Sequence, residues 1–183
     1  MHVTFKREKG DYFIFCTCMN SHCKSAFIVL YDHLNRIFSK MKQASLKVIE
    51  FNVVIKELSQ SFYEIYNQAF AAEQMGLDQV CGVGYRKALE FLIKDYLISL
   101  NPDKGDKIKN KFLGNCIKDD VTDTNIKIVA ERAAWLGNDE THYVRKWDSK
   151  DVSHLKGLIN LCLHWIEAEV NTKKILAEMP EGI

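Results

Sequence analysis

Proline is scarce in this sequence. Only Pro102 and Pro180 occur in 183 residues, and proline is the residue that most strongly interrupts a helix. Long stretches between them carry apolar residues at helical spacing, so helices are favoured over a sandwich of many short strands. At this length we expect one domain of ordinary size, or one domain with a small appendage.

Strong net charge and long apolar runs are also missing. The net charge is +1, so the overall electrostatics do not point to nucleic acid or an acidic membrane. No run of about 18 uninterrupted apolar residues occurs, and the N-terminus lacks the apolar core of a signal peptide. We therefore expect a cytoplasmic protein without a membrane partner. In that reducing compartment the six cysteines are not expected to form a disulfide framework.

Residues 1–45 are predicted to form a small antiparallel β module. Residues 2–7 and 12–17 are rich in aromatic and β-branched side chains and flank a turn, which is typical of a hairpin. Residues 26–33 form another such run, and residues 36–42 are expected to pair with it. Residues 43–58 carry weak signals and are interpreted as a connector.

Residues 59–180 are predicted to form a bundle of about five helices. Ser61 and Glu64 match a capping box at the start of the first, which is expected to stop at Gly76. Asp78 is expected to cap the second, which runs to about residue 100. The others are predicted over residues 106–117, over residues 123–136 with Gly137 as a left-handed cap, and from about residue 148 as far as residue 179. The fold class is therefore mainly α, preceded by the small β module.

Four metal-ligating residues lie within eight positions: Cys16, Cys18, His22 and Cys23. Thiolate and imidazole are the ligands that zinc prefers, and tight turns between strands commonly supply them. A zinc ribbon needs a second, separated pair, which this chain lacks. Three interpretations stay open: an intact zinc site, a relic half-site or a site completed by another chain, and packing cysteines without metal. Zinc is the only cofactor that the sequence indicates.

The densest group of chemically useful side chains spans residues 137–143. Asp139, Glu140 and His142 could supply a general base, a metal ligand or a carboxylate that orients an imidazole. Nearby arginines would suit a phosphate-bearing ligand. The alternative is that Asn138 and Asp139 satisfy open helix ends, while His142 and Tyr143 pack the loop against the bundle. The candidate ligand-binding residues are Asn138, Asp139, Tyr143, Arg145 and Arg86.

Three segments resemble a known bacterial family. They are Leu58-Ser59 followed by Tyr63-x-x-Tyr66-Asn67-x-Ala69, then Gly82-Val83-Gly84-Tyr85-Arg86-Lys87-Ala88-Leu89-Glu90, then Leu136-Gly137-Asn138-x-x-x-His142. Together they resemble the family called domain of unknown function 4145 over residues 58–170. Members often carry an N-terminal zinc-ribbon-like segment, of which residues 18–31 resemble the second half.

That family in turn resembles the HEPN (higher eukaryotes and prokaryotes nucleotide-binding) helical superfamily, whose members occur in defence systems and often dimerise. The resemblance implies a homodimeric interaction or accessory domain with a protein or RNA partner. The alternative is a metal-independent ribonuclease with His142 as acid/base, helped by Arg132 and Glu140. Active HEPN ribonucleases place a histidine four to six residues after an arginine, whereas nine residues separate Arg132 and His142 here.

Overall fold

The structure is a computed structural model that describes residues 4–8, 11–20, 22, 26–32, 37–43 and 46–180. The chain divides into two compact units, residues 1–48 and residues 49–183. Strands make up the first unit and helices the second.

The described residues of the first unit form a four-stranded antiparallel sheet in the order β1-β2-β3-β4. Its strands are β1 (Thr4–Glu8), β2 (Asp11–Thr17), β3 (Ala26–Asp32) and β4 (Ile37–Gln43). Strands β2 and β3 pair with Tyr12 opposite Tyr31 and Cys16 opposite Phe27. The predicted antiparallel module is confirmed, because aromatic and β-branched side chains fill both central strands.

Over its described residues, 49–180, the second unit contains seven α-helices. They are α1 (Val53–Leu58), α2 (Gln60–Gln74), α3 (Asp78–Leu100), α4 (Gly105–Asn110), α5 (Leu113–Asp120), α6 (Thr124–Asp139) and α7 (Val152–Glu178). A short 3₁₀ turn, Pro102–Lys104, precedes α4. The mainly α fold class is confirmed. Helix α1 lies in the predicted connector, and the helix predicted over residues 106–117 is two short helices.

Several helix ends differ from the prediction. The cap of α2 is Ser59 rather than Ser61, since the Ser59 hydroxyl accepts a hydrogen bond from the Phe62 amide at 3.2 Å. Asp78 is the first residue of α3 rather than its cap. Gly137 lies inside α6, which continues to Asp139. Gly76 does stop α2, with a φ of 72° that glycine adopts without strain.

Helix α3 is the centre of the bundle and packs against α2, α4, α5, α6 and α7. Two of its buried tyrosines each donate a hydrogen bond to a carboxylate on a neighbouring helix. The Tyr85 hydroxyl donates to Glu73 of α2, and the Tyr96 hydroxyl donates to Glu169 of α7. Burial raises the pKa of both tyrosines, so both hydroxyls stay protonated donors. These bonds tie α2 and α7 to α3. Among the described residues, none of the helices combines the length and apolar character needed to traverse a lipid bilayer.

Helices α2 and α3 are in close contact at two small residues, Ala69 and Gly84. A Cβ atom built on Gly84 would lie 2.8 Å from the Cβ of Ala69 and 3.3 Å from its Cα. The methyl group of Ala69 cannot rotate away, and its backbone is part of α2. The glycine therefore sets the distance between these two helices.

Substitution of Gly84 with alanine is expected to destabilise the helical unit by roughly 1–3 kcal/mol, because the two helices must move apart to admit the new methyl group. Gly157 in α7 is the matched control: a Cβ there meets nothing within 4 Å. Gly157→Ala should stabilise by about 0.5–1 kcal/mol through helix propensity. Urea unfolding of both variants measures whether the free energy of unfolding falls for Gly84→Ala and rises for Gly157→Ala. An unchanged free energy of unfolding for Gly84→Ala would contradict the packing argument.

Candidate functional site

The predicted polar cluster lies at the end of α6 and at the start of the segment that leads to α7. Residues 137–139 are the last turn of the helix, and Glu140 is its C-terminal cap. Residues 140–151 then cross to Val152, where α7 begins. We refer to residues 140–151 as the connecting segment.

The buried carboxylate of Asp139 holds the connecting segment in place. Its side chain is only 4% exposed. One carboxylate oxygen accepts the Lys146 amide at 2.7 Å, and the other accepts the Trp147 amide at 2.9 Å. The hydrogen bond from Lys146, followed by that from Trp147 and by the charge of Arg145, holds the pKa of Asp139 below its ordinary value. Both acceptor oxygens are therefore engaged in holding the backbone.

Arg145 and Glu140 form a second link across the same segment. Nη2 of Arg145 donates to Oε1 of Glu140 at 2.7 Å and to the Lys150 carbonyl at 2.6 Å. The Glu140 side chain is 11% exposed and that of Arg145 34%. A charge-assisted pair of this kind holds its partners in one geometry. These two predicted site residues are thus occupied with each other and with the backbone.

The motifs on which the family resemblance depends meet between α3 and α6. Nε of Arg86 donates to Oδ1 of Asn138 at 2.9 Å, and a Cβ on Gly137 would lie 2.8–2.9 Å from the Arg86 side chain. A Cβ on Gly82 would likewise lie 2.8 Å from Cγ of Glu140. The two glycines therefore leave room for the aliphatic parts of the Arg86 and Glu140 side chains. These residues therefore serve to pack α3 against α6.

The remaining residues of the cluster face solvent. His142 is exposed, and Tyr143 is fully exposed. The expectation that Tyr143 packs the loop against the bundle is therefore wrong, because the segment is held by Asp139 and Arg145 instead of by aromatic contacts.

Arg132 lies elsewhere, on the face that α6 shares with α7. Nη1 of Arg132 donates to the Ile128 carbonyl at 2.8 Å, and its guanidinium carbon lies 5.9 Å from the centre of the Trp135 ring. That distance is within the range of a cation–π contact. Arg132 therefore borders a different feature from the one that contains His142.

This feature is a groove of about 680 Å³ between α6, α7 and the connecting segment. We call it the tryptophan groove. Apolar side chains form most of it and three basic groups accompany them; the lining residues are Arg132, Trp135, Leu136, Trp147, Lys150, Ser153, His154, Gly157, Leu158 and Leu161. Its volume is that of an ordinary ligand site. Of the described residues that line it, none is an aspartate or a glutamate.

Sequence reasoning did not predict this groove. Trp135, Trp147, Lys150 and His154 were not candidates, because a tryptophan or a lysine in a helical pattern is ordinarily part of the core or of a solvated face. The sequence positions of the tryptophans gave no signal, because only the folded chain shows how far each indole is exposed. The chain has three, and Trp135, Trp147 and Trp165 are 50%, 47% and 37% exposed. Tryptophan is more often largely buried.

A capping box at the start of α7 fixes the imidazole that lines the groove. Asp151 accepts hydrogen bonds from the amides of Ser153 and His154, and its Oδ1 lies 2.7 Å from Nδ1 of His154. The hydroxyl of Ser153, then the imidazole and amide of His154, lower the pKa of Asp151. The carboxylate thus orients the His154 ring while it caps the helix.

The cysteine cluster is described in part. Cys16 is 2% exposed within β2, as expected for a packing cysteine, whereas Cys18 is half-buried and His22 is exposed. Cys23 lies outside the described residues. Among the residues that the structure does describe, no three His, Cys, Asp or Glu side chains are arranged to hold a metal ion. The zinc site of Cys16, Cys18, His22 and Cys23 stays a prediction.

Comparison with known proteins found no match: no family model, no curated protein and no solved structure is similar to this chain. The resemblance to domain of unknown function 4145 therefore stays a prediction.

Asp139→Asn is expected to lower the free energy of unfolding at neutral pH, because asparagine offers one acceptor oxygen to two backbone amides. The folded-state pKa of Asp139 is lowered from 3.8, so its stabilisation is present above that value and is lost as the pH falls through the folded-state pKa. Urea unfolding at several pH values should show the difference from wild type shrinking in acid. Asp148→Asn, on an exposed residue of the same segment, should change little; an equal loss in both variants would contradict this role.

Proposed function

We propose that the helical unit is a non-enzymatic interaction domain of the HEPN-like type, and that the tryptophan groove binds an apolar segment of an acidic protein partner. The observation that carries this proposal is the placement of Trp135 and Trp147, two half-exposed indoles on the walls of one groove. Tryptophan is enriched at the centres of protein interfaces, where it contributes most to binding.

Apolar surface around the two indoles supports this assignment. Leu158 and Leu161 complete the floor between α6 and α7, and Leu161 is 48% exposed. Monomeric proteins rarely leave a continuous apolar patch of this kind without a function. An apolar side chain of a partner would displace water from the groove, and such burial provides about 25 cal/mol for each Å² of apolar surface.

The charges of the groove determine the kind of partner. Arg132 and Lys150 supply positive charge to it, and the lining includes no carboxylate. Complementary potentials favour a partner whose apolar anchors are flanked by aspartate or glutamate. RNA also joins stacking to basic contacts. A protein segment fits better here, because leucines accompany the indoles and the lining has only three basic groups.

The predicted catalytic residues favour binding over catalysis. Glu140 is paired with Arg145, and Asp139 is engaged by two backbone amides. His142 is exposed and does not line the groove that contains Arg132. The ribonuclease alternative requires an imidazole and an arginine that act on one phosphate.

Binding can be measured with a synthetic amphipathic helical peptide that has leucine and phenylalanine on one face and glutamate on the other. A twin peptide, with lysine in place of glutamate, is the control ligand. We expect the glutamate peptide to change the tryptophan fluorescence and to bind at least tenfold more tightly than its twin. Trp147→Ala and Lys150→Glu should each weaken the glutamate peptide at least tenfold.

Val144→Ala is the control variant, since Val144 is 74% exposed on the same connecting segment but does not line the groove. It should bind the glutamate peptide as wild type does. Equal binding of both peptides would overturn the charge argument. Tighter binding of a single-stranded oligouridylate than of the peptide would replace the protein partner with RNA.

His142→Ala tests the rival function. The purified wild-type protein is expected to leave a fluorescently labelled RNA intact, so the variant should show no catalytic deficit. The peptide affinity should also be unchanged, because His142 lies outside the groove lining. RNA cleavage by the wild type that disappears in His142→Ala would overturn the non-enzymatic assignment.

A further inference from the structure

Apolar surface continues along α6 and α7 beyond the end of the tryptophan groove. The last turns of α6 and the first turns of α7 line the groove together, so the two helices run antiparallel. About one turn after Leu161 on α7 lies Trp165, which is 37% exposed. About one turn before Arg132 on α6 lies Ile128, which is 43% exposed. Neither of these two exposed residues lines the groove itself.

Helical spacing places both residues in line with the groove. On α7, Leu158, Leu161 and Trp165 follow one another at intervals of three and four residues, which puts them on one side of the helix. On α6, Ile128 and Trp135 are seven residues apart, or about two turns, and also share a side. We call the tryptophan groove together with Ile128 and Trp165 the extended groove.

The length of the extended groove determines the length of segment that can cover it. Trp165 lies 11 residues after His154, which lines the other end. At about 1.5 Å per residue, the two positions are roughly 16 Å apart along α7. A helical segment with apolar side chains over that length has them at positions i, i+4, i+7 and i+11. Such a segment needs about four turns.

The walls of the extended groove favour a helix over an extended segment. Backbone groups within α6 and α7 are already hydrogen-bonded inside each helix. In the connecting segment, the Trp147 amide donates to Asp139 and the Lys150 carbonyl accepts from Arg145. An extended segment buried here would leave its own amides and carbonyls without partners, which is costly. A helix satisfies its backbone internally and needs none.

An unpaired arginine lies between the two ends of the extended groove. Arg86 and Arg145 each form an ion pair with a glutamate of the helical unit. Arg132, the third arginine of residues 49–180, forms no ion pair with any residue that the structure describes. It donates one hydrogen bond to the Ile128 carbonyl and lies beside the Trp135 ring. Its other N–H groups are therefore available to a carboxylate of a ligand.

We infer that the partner segment is an α-helix of about four turns that packs along the extended groove, with a pair of apolar anchors at each end and an acidic residue level with Arg132. One pair meets Trp135 and Trp147, and the other meets Ile128 and Trp165. This inference rests on the proposed function, because it specifies the partner of the same groove. The binding mode is that of an amphipathic helix laid into a groove between helices.

Three synthetic peptides of equal length test the number of anchors. The full peptide has leucine at positions i, i+4, i+7 and i+11 and glutamate beside the middle two. The other two have alanine in place of the first pair of leucines or of the second pair. Fluorescence anisotropy of labelled peptides gives the dissociation constants. The full peptide should bind at least tenfold more tightly than either alanine peptide.

Variants at the two ends of the extended groove should give opposite patterns. Trp165→Glu should weaken the full peptide at least tenfold and should not affect the alanine peptide that lacks the pair of anchors meeting Trp165. Trp147→Ala should weaken the full peptide as well, but should not affect the other alanine peptide. Ile128→Glu reports on the same end as Trp165→Glu from α6. Circular dichroism verifies that each variant remains helical.

Asn160→Glu is the control variant for the end that contains Trp165. It adds the same charge to an exposed residue of α7, five residues earlier and therefore about 140° around the helix from Trp165. Binding of all three peptides should be unchanged.

A charge reversal tests the position of the acidic residue. Arg132→Glu should weaken the full peptide at least tenfold and should prefer a version in which lysine replaces the glutamates beside the middle anchors. Lys174→Glu reverses a charge that is 74% exposed on the opposite side of α7 from Trp165, and it should change neither affinity. Loss of binding in Arg132→Glu without the reversed preference would contradict the pairing of Arg132 with the partner.

The outcomes separate this inference from the proposed function. If Trp147→Ala weakens the full peptide while Trp165→Glu and Ile128→Glu do not, the inference is overturned and the groove alone binds the partner. If none of the peptides binds the wild-type protein, both proposals fail. If the protein without peptide is a dimer that Trp165→Glu dissociates, a second copy of the chain occupies the extended groove, and the inference is again overturned.

Discussion

The two hydrogen bonds that Asp139 accepts from the backbone determine where residues 140–151 lie, and the candidate site depends on them. The carboxylate belongs to the last turn of α6, yet its acceptors hold the amides of Lys146 and Trp147. A carboxylate that is 4% exposed must have its oxygens satisfied, because burial without partners is costly. The segment satisfies it, and in doing so places the Trp147 side chain on the wall of the groove.

Close packing between helices is the second constraint, and it explains the residues of the family-like motifs. Gly82, Gly84 and Gly137 each admit a neighbouring side chain that a methyl group would displace. Arg86 then reaches Asn138 and also pairs with Glu90 at 3.0 Å. Arg86 and Asn138, which the sequence offered as candidate ligand-binding residues, are therefore accounted for as part of the contact between α3 and α6.

Periodicity was enough to predict the mainly α fold and the β module, because burial of one face governs both. The end of α2 was predictable from Gly76, since its φ of 72° favours glycine. The cap at Ser59 and the helical state of Gly137 were not, because two serines offered similar caps and because Gly137 is required for packing against Arg86 rather than for a turn. Likewise Asp139 was recognised as a residue that satisfies open backbone groups, but its partners, seven and eight residues further on, depend on the path of the segment. The tryptophan groove was missed because exposure of an indole is decided by tertiary packing and not by spacing.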